Sequence, residues 1–308
     1  MHPMQRMLSS VRPCWILVLL AFASPLTADE RWREIQWRDE RAYSASSGGF
    51  EAIVSVERGR LIYFGREGGG ENLLYVPPDR RNPAEWGGHR VWLGPQAKWA
   101  RNWPPPAAWE ASAAEKVTVE GERLELLMPS TADDWPRLRR IYRWENGELH
   151  CDARIDGGRR VAQIIHVVQV LENAEVAVQA EPSNEEPRGY VQLHLGRGDH
   201  PIKTFPEPPH LQAEGTKLTL RHVGKMEKLG FRQQPLTARI GGETLRVKAG
   251  VSSGRVEATP DEGFVTQVYL SGSRAPLIEL EQLSPLFARD QSARFEIVIA
   301  PVAGEPGD

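Results

Sequence analysis

Apolar and polar positions alternate with a period of two along most of the chain, the spacing of strands with one buried face. "FEAIVSV" and "GRLIYFG" flank Glu57-Arg58 as the arms of a hairpin. "KVTVEGERLELLM" predicts a reversal at Glu120-Gly121, and "RRIYRWENGELHCDARI" one at Asn146-Gly147, where both residues tolerate positive φ. "RVAQIIHVVQVL" reads as a longer β-branched strand, and "YVQLHL", "TKLTLRHV", "LTARIGGETLRVKAGV", "GFVTQVYL", "PLIELEQL" and "ARFEIVIA" continue the pattern. Gly, Asn, Asp or Pro separate most of these runs and suit tight reversals. No long segment has the i, i+3, i+4 spacing and caps of a helix. The pattern predicts an all-β chain of about fifteen strands, more than the seven to nine of an immunoglobulin-like domain. No fixed-period repeat favours a propeller. The expected architecture is a large antiparallel β-sandwich, one sheet of which presents a concave face rimmed by the Pro-rich stretches 77–110 and 201–209.

The N-terminus departs from this pattern. Arg6 and Arg12 precede the apolar run "CWILVLLAFA", which is too short to span a bilayer and has the layout of a secretory signal peptide. Residues 1–28 are read as the leader and 29–308 as one β-sandwich domain, with cleavage after Ala23 or Ala28. A periplasmic or secreted location is the expectation, with no membrane attachment after cleavage. Removing two arginines and no acids from 38 basic and 41 acidic residues leaves a net charge of −5. Without a basic block there is no electrostatic footprint for nucleic acid. Only Cys151 remains after cleavage, so no internal disulfide can form, and the fold must rest on its own core.

Five of the 10 tryptophans, Trp86, Trp92, Trp99, Trp103 and Trp109, fall between Glu85 and Glu110 in "EWGGHRVWLGPQAKWARNWPPPAAWE". Two explanations fit: indoles packed beneath a long loop, or a platform on which the apolar face of a sugar ring stacks. Trp99 and Trp103, in the most irregular part, are the candidates for ligand contact, with Trp92 beside them. Gly87-Gly88 lets the backbone turn sharply and bring His89 and Arg90 toward a cleft. A guanidinium offers a planar fork of donors for vicinal hydroxyls or a carboxylate.

The elements "GGENLLYV", "WGGHRVWLGPQ", "NWPPP" and "PLIELEQLSPL", and more weakly "KMEKLGF", resemble a group of bacterial proteins, domain-of-unknown-function family 4380. The resemblance spans roughly residues 45–300 and is strongest at the Gly-Gly-His-Arg-Val-Trp element. It implies the galactose-mutarotase-like fold, a large β-sandwich shared with aldose 1-epimerases, a carbohydrate ligand and no cofactor. Those epimerases use a carboxylate base and a histidine acid on opposite sides of one sugar. Glu279 and Glu281 in "LIELEQL" are the candidate carboxylates; a spacing of two puts both on one sheet face, where their repulsion can raise one pKa. An edge strand with a polar solvent face accounts for the pair equally well.

For the acid, His166 is the central polar residue of "QIIHVVQV", with Gln163 and Gln169 on the opposite face; His89 is the rival. His200 and His210 border the second rim loop, and Lys228 joins Arg90 as a candidate for holding hydroxyls or a carboxylate. The chain lacks the local contexts of the epimerase histidines, and "ELEQLSP" is near, but not the same as, the catalytic carboxylate element. A non-catalytic glycan-binding or assembly module on the same scaffold therefore stays open beside an epimerase-like isomerase. No His-x-His, His-Glu-x-x-His or cysteine pair offers a metal site, "GREGGGE" lacks the Lys-Ser/Thr of a phosphate loop, and "RLRR" at 137–140 reads as a solvated face. The leader reading is checked by mass spectrometry of the protein recovered after expression in a Gram-negative host: the mature chain should begin at Ser24 or Asp29.

Overall fold

The computed structural model describes residues 31–77, 86–100, 104–131, 134–194, 201–202, 210–232, 234–273 and 276–302. The leader, Trp103 and His200 lie outside them, as does most of the 201–209 rim stretch. The chain forms β1 (Arg33–Trp37), β2 (Glu40–Ser47), β3 (Phe50–Ser55), β4 (Arg60–Arg66), β5 (His89–Gly94) and the one-turn helix α1 (Ala107–Glu110). There follow β6 (Lys116–Glu120), β7 (Arg123–Leu127), β8 (Arg137–Glu145), β9 (Glu148–Asp156), β10 (Ala162–Leu171) and β11 (Glu175–Gln179). Next come β12 (Val191–Leu193), β13 (Pro201–Ile202), β14 (Leu211–Glu214), β15 (Lys217–Leu220), β16 (Glu227–Phe231) and β17 (Leu236–Ile240). The last are β18 (Glu243–Ser253), β19 (Val256–Ala258), β20 (Thr266–Leu270), β21 (Leu277–Phe287) and β22 (Ala293–Val302).

Two antiparallel sheets hold these strands. The first has 12, in the order β1-β2-β3-β4-β5-β10-β21-β20-β16-β12-β13 with β19 against β21; the second has 10, in the order β14-β15-β11-β17-β18-β22-β9-β8-β7-β6. The expected all-β sandwich is what forms. Its strand number exceeds the sequence estimate because the alternating runs omit β1, β2, β5, β11, β13, β14, β16 and β19; of these β13 and β19 span only 2–3 residues, too few for alternation to register. The hairpins expected at Glu57-Arg58, Glu120-Gly121 and Asn146-Gly147 are present, with Asn146 and Gly147 both at positive φ. Within the Trp-rich stretch, read as rim loop, His89–Gly94 is instead a central strand, between β4 and β10. Gly87 and Gly88 make the turn into it at positive φ, and a Cβ on either would strike the carbonyl oxygen of Tyr75 or Leu61.

The core lies between the sheets. Val91, Leu93, Ile164, Val168, Ile278 and Leu280 of the first sheet belong to one buried cluster with Leu138, Tyr142, Cys151 and Ile297 of the second. Two histidines are set into it. The rings of His89 and His166 stack 5.1 Å apart at 5°, with His89 Nε2 2.9 Å from His166 Nδ1, and His166 Nε2 lies 3.1 Å from the Phe295 carbonyl of the second sheet. A carbonyl can only accept, so His166 carries its proton on Nε2, and its Nδ1 accepts from the Nε2–H of His89. Both rings are thereby held neutral.

Arg140 points into the same interior, contrary to the reading of "RLRR" as a solvated face. Its guanidinium donates to the carbonyls of Val91 (3.0 Å), Trp109 (2.6 Å) and Gly59. Alternation along β8 sends its neighbour Arg139 outward, to Glu125 (2.7 Å) and Asp156 (3.0 Å). The outer face of the second sheet is clothed in ion pairs: Glu296 meets Arg143 at 2.9 Å, His150 at 3.0 Å and Arg294 at 2.6 Å, and against the cost of its burial His150 and Arg143 hold it near pKa 2. Among the described residues no helix is long and apolar enough to cross a membrane.

Burial is the first cause that pushes His166 down from 6.5 to about 4, and His89 is also held well below its usual value. Between pH 6.5 and about 4 the unfolded chain therefore binds more protons than the folded one, and stability falls as pH falls through that window. The His166 contribution is about 3 kcal/mol at 1.36 kcal/mol per unit. Urea unfolding at a series of pH values should show His166→Asn less stable than the parent near neutrality, with the gap closing toward pH 4.

Candidate functional site

The face of the first sheet turned away from the core carries a second set of polar residues, and the register shows why. Arg90 pairs with Val167 and Val167 with Glu281, while Gln169 pairs with Glu279; directly paired residues share a face. Gln267 stands opposite Glu281, and Tyr269 opposite both Glu279 and Lys228. Arg90, Trp92, Gln163, Gln169, Glu279, Glu281, Gln267 and Lys228 therefore look out together from β5, β10, β21, β20 and β16. Because β21 lies between β10 and β20, the carboxylate pair is on a central strand, which excludes the edge-strand explanation.

The two glutamates are differently held. Glu279 Oε1 accepts from Gln169 Nε2 at 2.6 Å and from Arg90 Nη1 at 3.4 Å. Its pKa is raised, first by burial, while Arg90, Gln169 and Lys228 act in the opposite sense. The raise expected from repulsion between the pair thus has another main cause, desolvation. Glu281 instead pairs with Lys228, Nζ to Oε2 3.1 Å. Beside that pair is a cavity of about 130 Å³ whose wall includes Trp92, Gln163, Lys228, Asp261, Gln267 and Glu281. Asp261 accepts from Gln267 Nε2 at 2.9 Å, and the turn that presents it runs through three consecutive positive φ values, Asp261 (48°), Glu262 (53°) and Gly263 (92°). Two of the three are not glycine, so this corner of the wall is strained backbone.

Behind Arg90 stands a carboxylate that pattern reading missed. Glu110, the last residue of α1 and 1% exposed, accepts from Arg90 Nε at 2.9 Å and also from Arg90 Nη2, from Arg60 Nη1 at 3.3 Å and from Trp92 Nε1 at 2.8 Å. Arg60 also donates to the Glu110 carbonyl, and the fully buried Arg60 is drawn down to about 10 by desolvation despite that partner. The Arg90 guanidinium lies 5.1 Å from the centre of the Trp92 ring. The available signal was Glu110 itself, an acid directly after "PPPAAW" at the end of the aromatic run. Gln163 and Gln169 served only to place His166, although their spacing already put them on one face together.

The histidines do not join this site. His89 and His166 face the core, so the structure separates them from Glu279 and Glu281 by the thickness of the sheet; alternation puts His89 inward precisely because its neighbour Arg90 points outward. His210 lies 2.7 Å from Glu227, which alternates with Lys228 on β16 and so faces away from the cavity. Trp99 is buried, donates to the Leu93 carbonyl at 2.8 Å and meets Trp92 edge-on at 5.8 Å and 89°. It props Trp92 rather than offering a free face. Trp109 is packed edge-on against Trp135 at 5.3 Å, so Trp99 and Trp109 both act as packing beneath the segment. Among the described residues no group of three or more His, Cys, Asp or Glu side chains is gathered to hold a metal ion.

No protein-family model and no curated protein matches the chain. Solved structures do. A candidate aldose 1-epimerase from Escherichia coli K12 superposes with a TM-score of 0.59 at 11% identity, covering 85% of this chain and 98% of that one. A galactose mutarotase-like protein from Lactobacillus casei gives 0.56 at 9% identity, over 85% and 100%. A candidate mutarotase from Salmonella typhimurium gives 0.54 at 10%, over 89% and 94%. At these identities the likeness defines the class of fold, the galactose mutarotase-like sandwich, and leaves the chemistry to the residues present. Replacing Trp99 with Ala should cost stability by about 3 kcal/mol, and the parent and variant should differ in urea midpoint; an unchanged midpoint would return Trp99 to the list of ligand-facing aromatics.

Proposed function

We propose that this protein binds a carbohydrate on the outer face of its first sheet, outside the cytoplasm, and belongs with the family 4380 proteins it resembles. One observation carries the reading: two buried carboxylates on a central strand, each set against a cation, beside a cavity walled by an indole and two glutamines. Hydroxyl groups both donate and accept, and such a mixed, preformed set of carboxylate, amide and ammonium groups is what orients them, while an indole takes the apolar face of the ring. The fold class supports the same ligand type. Trp92, Lys228 and Glu281 border the cavity directly; Arg90 and Glu279 lie buried beside it in the same polar set.

A second reading, aldose epimerase-like proton exchange at an anomeric centre, is favoured by the Lys228–Glu281 pair, an acid and a base 3.1 Å apart. Glu281 would take the proton of the anomeric hydroxyl as Lys228 protonates the ring oxygen and the bond between that oxygen and C1 breaks; after the open-chain carbonyl rotates, the ring closes on its other face and the two protons return to Lys228 and the new anomeric hydroxyl. The histidines facing the core support no such role. Binding is the better supported of the two, because it uses groups the geometry already brings together.

Saturation-transfer NMR with a panel of hexoses, pentoses and uronic acids reads binding, and exchange between α- and β-anomer signals reads turnover in the same sample. Binding of at least one sugar is expected, with affinity reduced about tenfold in Glu281→Gln through loss of a charge-assisted hydrogen bond. Accelerated anomer exchange that disappears in Glu281→Gln while binding persists would select the epimerase reading. Absence of saturation transfer to every sugar, and to oligosaccharides built from them, would defeat both.

A further inference from the structure

We infer that Glu110 is a positioning residue for the sugar-facing surface: from the end of the Trp-rich segment, one carboxylate fixes both the Arg90 fork and the Trp92 indole. This deepens the carbohydrate reading and rests on it for the meaning of the surface, though not for the geometry. Three facts carry it. The two oxygens of Glu110 are divided between tasks: Oε1 accepts from Arg90 and Arg60, and Oε2 accepts from Trp92 Nε1. The arrangement is buried, with Arg60, Arg90 and Glu110 each no more than 2% exposed, so water cannot take over the bonds of a lost partner. Finally, Arg90 divides its own donors, Nε and Nη2 toward Glu110 and Nη1 toward Glu279. A guanidinium is rigid and planar, so holding one edge aims the other.

The Trp-rich segment then has a role different from stacking on a ligand. Trp109 and Trp135 pack edge-on, and Arg140 takes the Trp109 carbonyl at 2.6 Å, so α1 is anchored immediately before Glu110. The buried indoles hold the helix, the helix holds the carboxylate, and the carboxylate sets Arg90 and Trp92 on the neighbouring strand.

Glu110 also bears on the state of Glu279. Its negative charge acts to raise the Glu279 pKa, while Arg90 acts to lower it. Neutralising Glu110 removes the first effect and releases Arg90 to strengthen the second, so Glu279 should titrate at lower pH.

The test uses the whole chain without ligand first. Glu279 carboxyl ¹³C titration and the Trp92 indole ¹H–¹⁵N resonance are compared in the parent, Glu110→Gln and Glu110→Asp. In Glu110→Gln the Glu279 midpoint should fall below that of the parent, and in Glu110→Asp, one methylene too short to serve both partners, the Trp92 resonance should move. A folded variant with both signals at the parental position overturns the inference; a loss of packing alone would lower the melting temperature without moving the Glu279 midpoint. If neither variant folds, hydrogen exchange of the Trp92 indole in the parent decides: slow exchange is expected, and exchange at the rate of a free indole overturns it. Sugar affinity is measured second and should drop about tenfold in either folded variant. Shifted ligand-free signals with no sugar bound by any chain would uphold the positioning role and remove the carbohydrate reading; unmoved signals with sugar bound by the parent would do the reverse.

Discussion

A strand covered on both faces has no side chain that water can satisfy, and the centre of the first sheet is built from such strands. Every residue of β5 is buried, as is nearly all of β10 and the first eight residues of β21. Any polar group placed there must find its partner inside the protein or carry the cost of desolvation unrelieved. The polar residues of this region sort into two sets, one on each face, and most of their buried atoms are partnered within them, His89 Nδ1 and Gln169 Oε1 being exceptions. On the inner face two neutral imidazoles and a backbone carbonyl tie the sheets together, with Gln282 and Thr266 hydrogen-bonded to each other on the neighbouring strands. The outer set mixes charged groups with amides, and its members answer one another across the central strands of the first sheet and a one-turn helix.

Adjacent residues of β5 supply both sets. His89 and Arg90 leave the Gly87-Gly88 turn on opposite sides, so two neighbours in sequence work on surfaces that never meet. The same alternation, applied to β16 and β21, divides Glu227 from Lys228 and keeps Glu279 with Glu281. Sharing a face does not make the two carboxylates equivalent. Glu279 has a guanidinium and an amide, Glu281 an ammonium, and only Glu281 lies on the wall of the cavity.

Much of this was legible beforehand. Period-two alternation gave the fold class, the Asn-Gly and Glu-Gly reversals placed two hairpins, and a spacing of two correctly paired Glu279 with Glu281. What remained hidden depends on partners far apart in sequence. Nothing local to "GGHRVW" says that His89–Gly94 is a central strand, since four prolines and five tryptophans between Glu85 and Glu110 suggest a loop. Likewise "RLRR" is three arginines around one leucine, and nothing local says which face Arg140 takes until the sheet turns it inward, toward carbonyls 31 to 81 residues away. Glu110 is the sharpest case: its partners are 18, 20 and 50 residues off, on two other elements, and no periodic pattern links them. The histidines were misplaced for a simpler reason. Alternation had already put His166 opposite Gln163 and Gln169, but it could not say which side was the core.

Arg140 has one more consequence. Its three acceptors lie in the β3–β4 turn, on β5 and in α1, segments that reach the guanidinium by separate routes along the chain. A buried cation deprived of any one of them keeps its full desolvation cost with less compensation, so the three segments cannot come loose one at a time without strong penalty. That makes the first hairpin, the central strand and the tryptophan-bearing segment a single cooperative unit, one that opens together or stays closed. The described part of the tryptophan-bearing segment, short of regular structure after β5, is on this account among the last parts of the fold to fray.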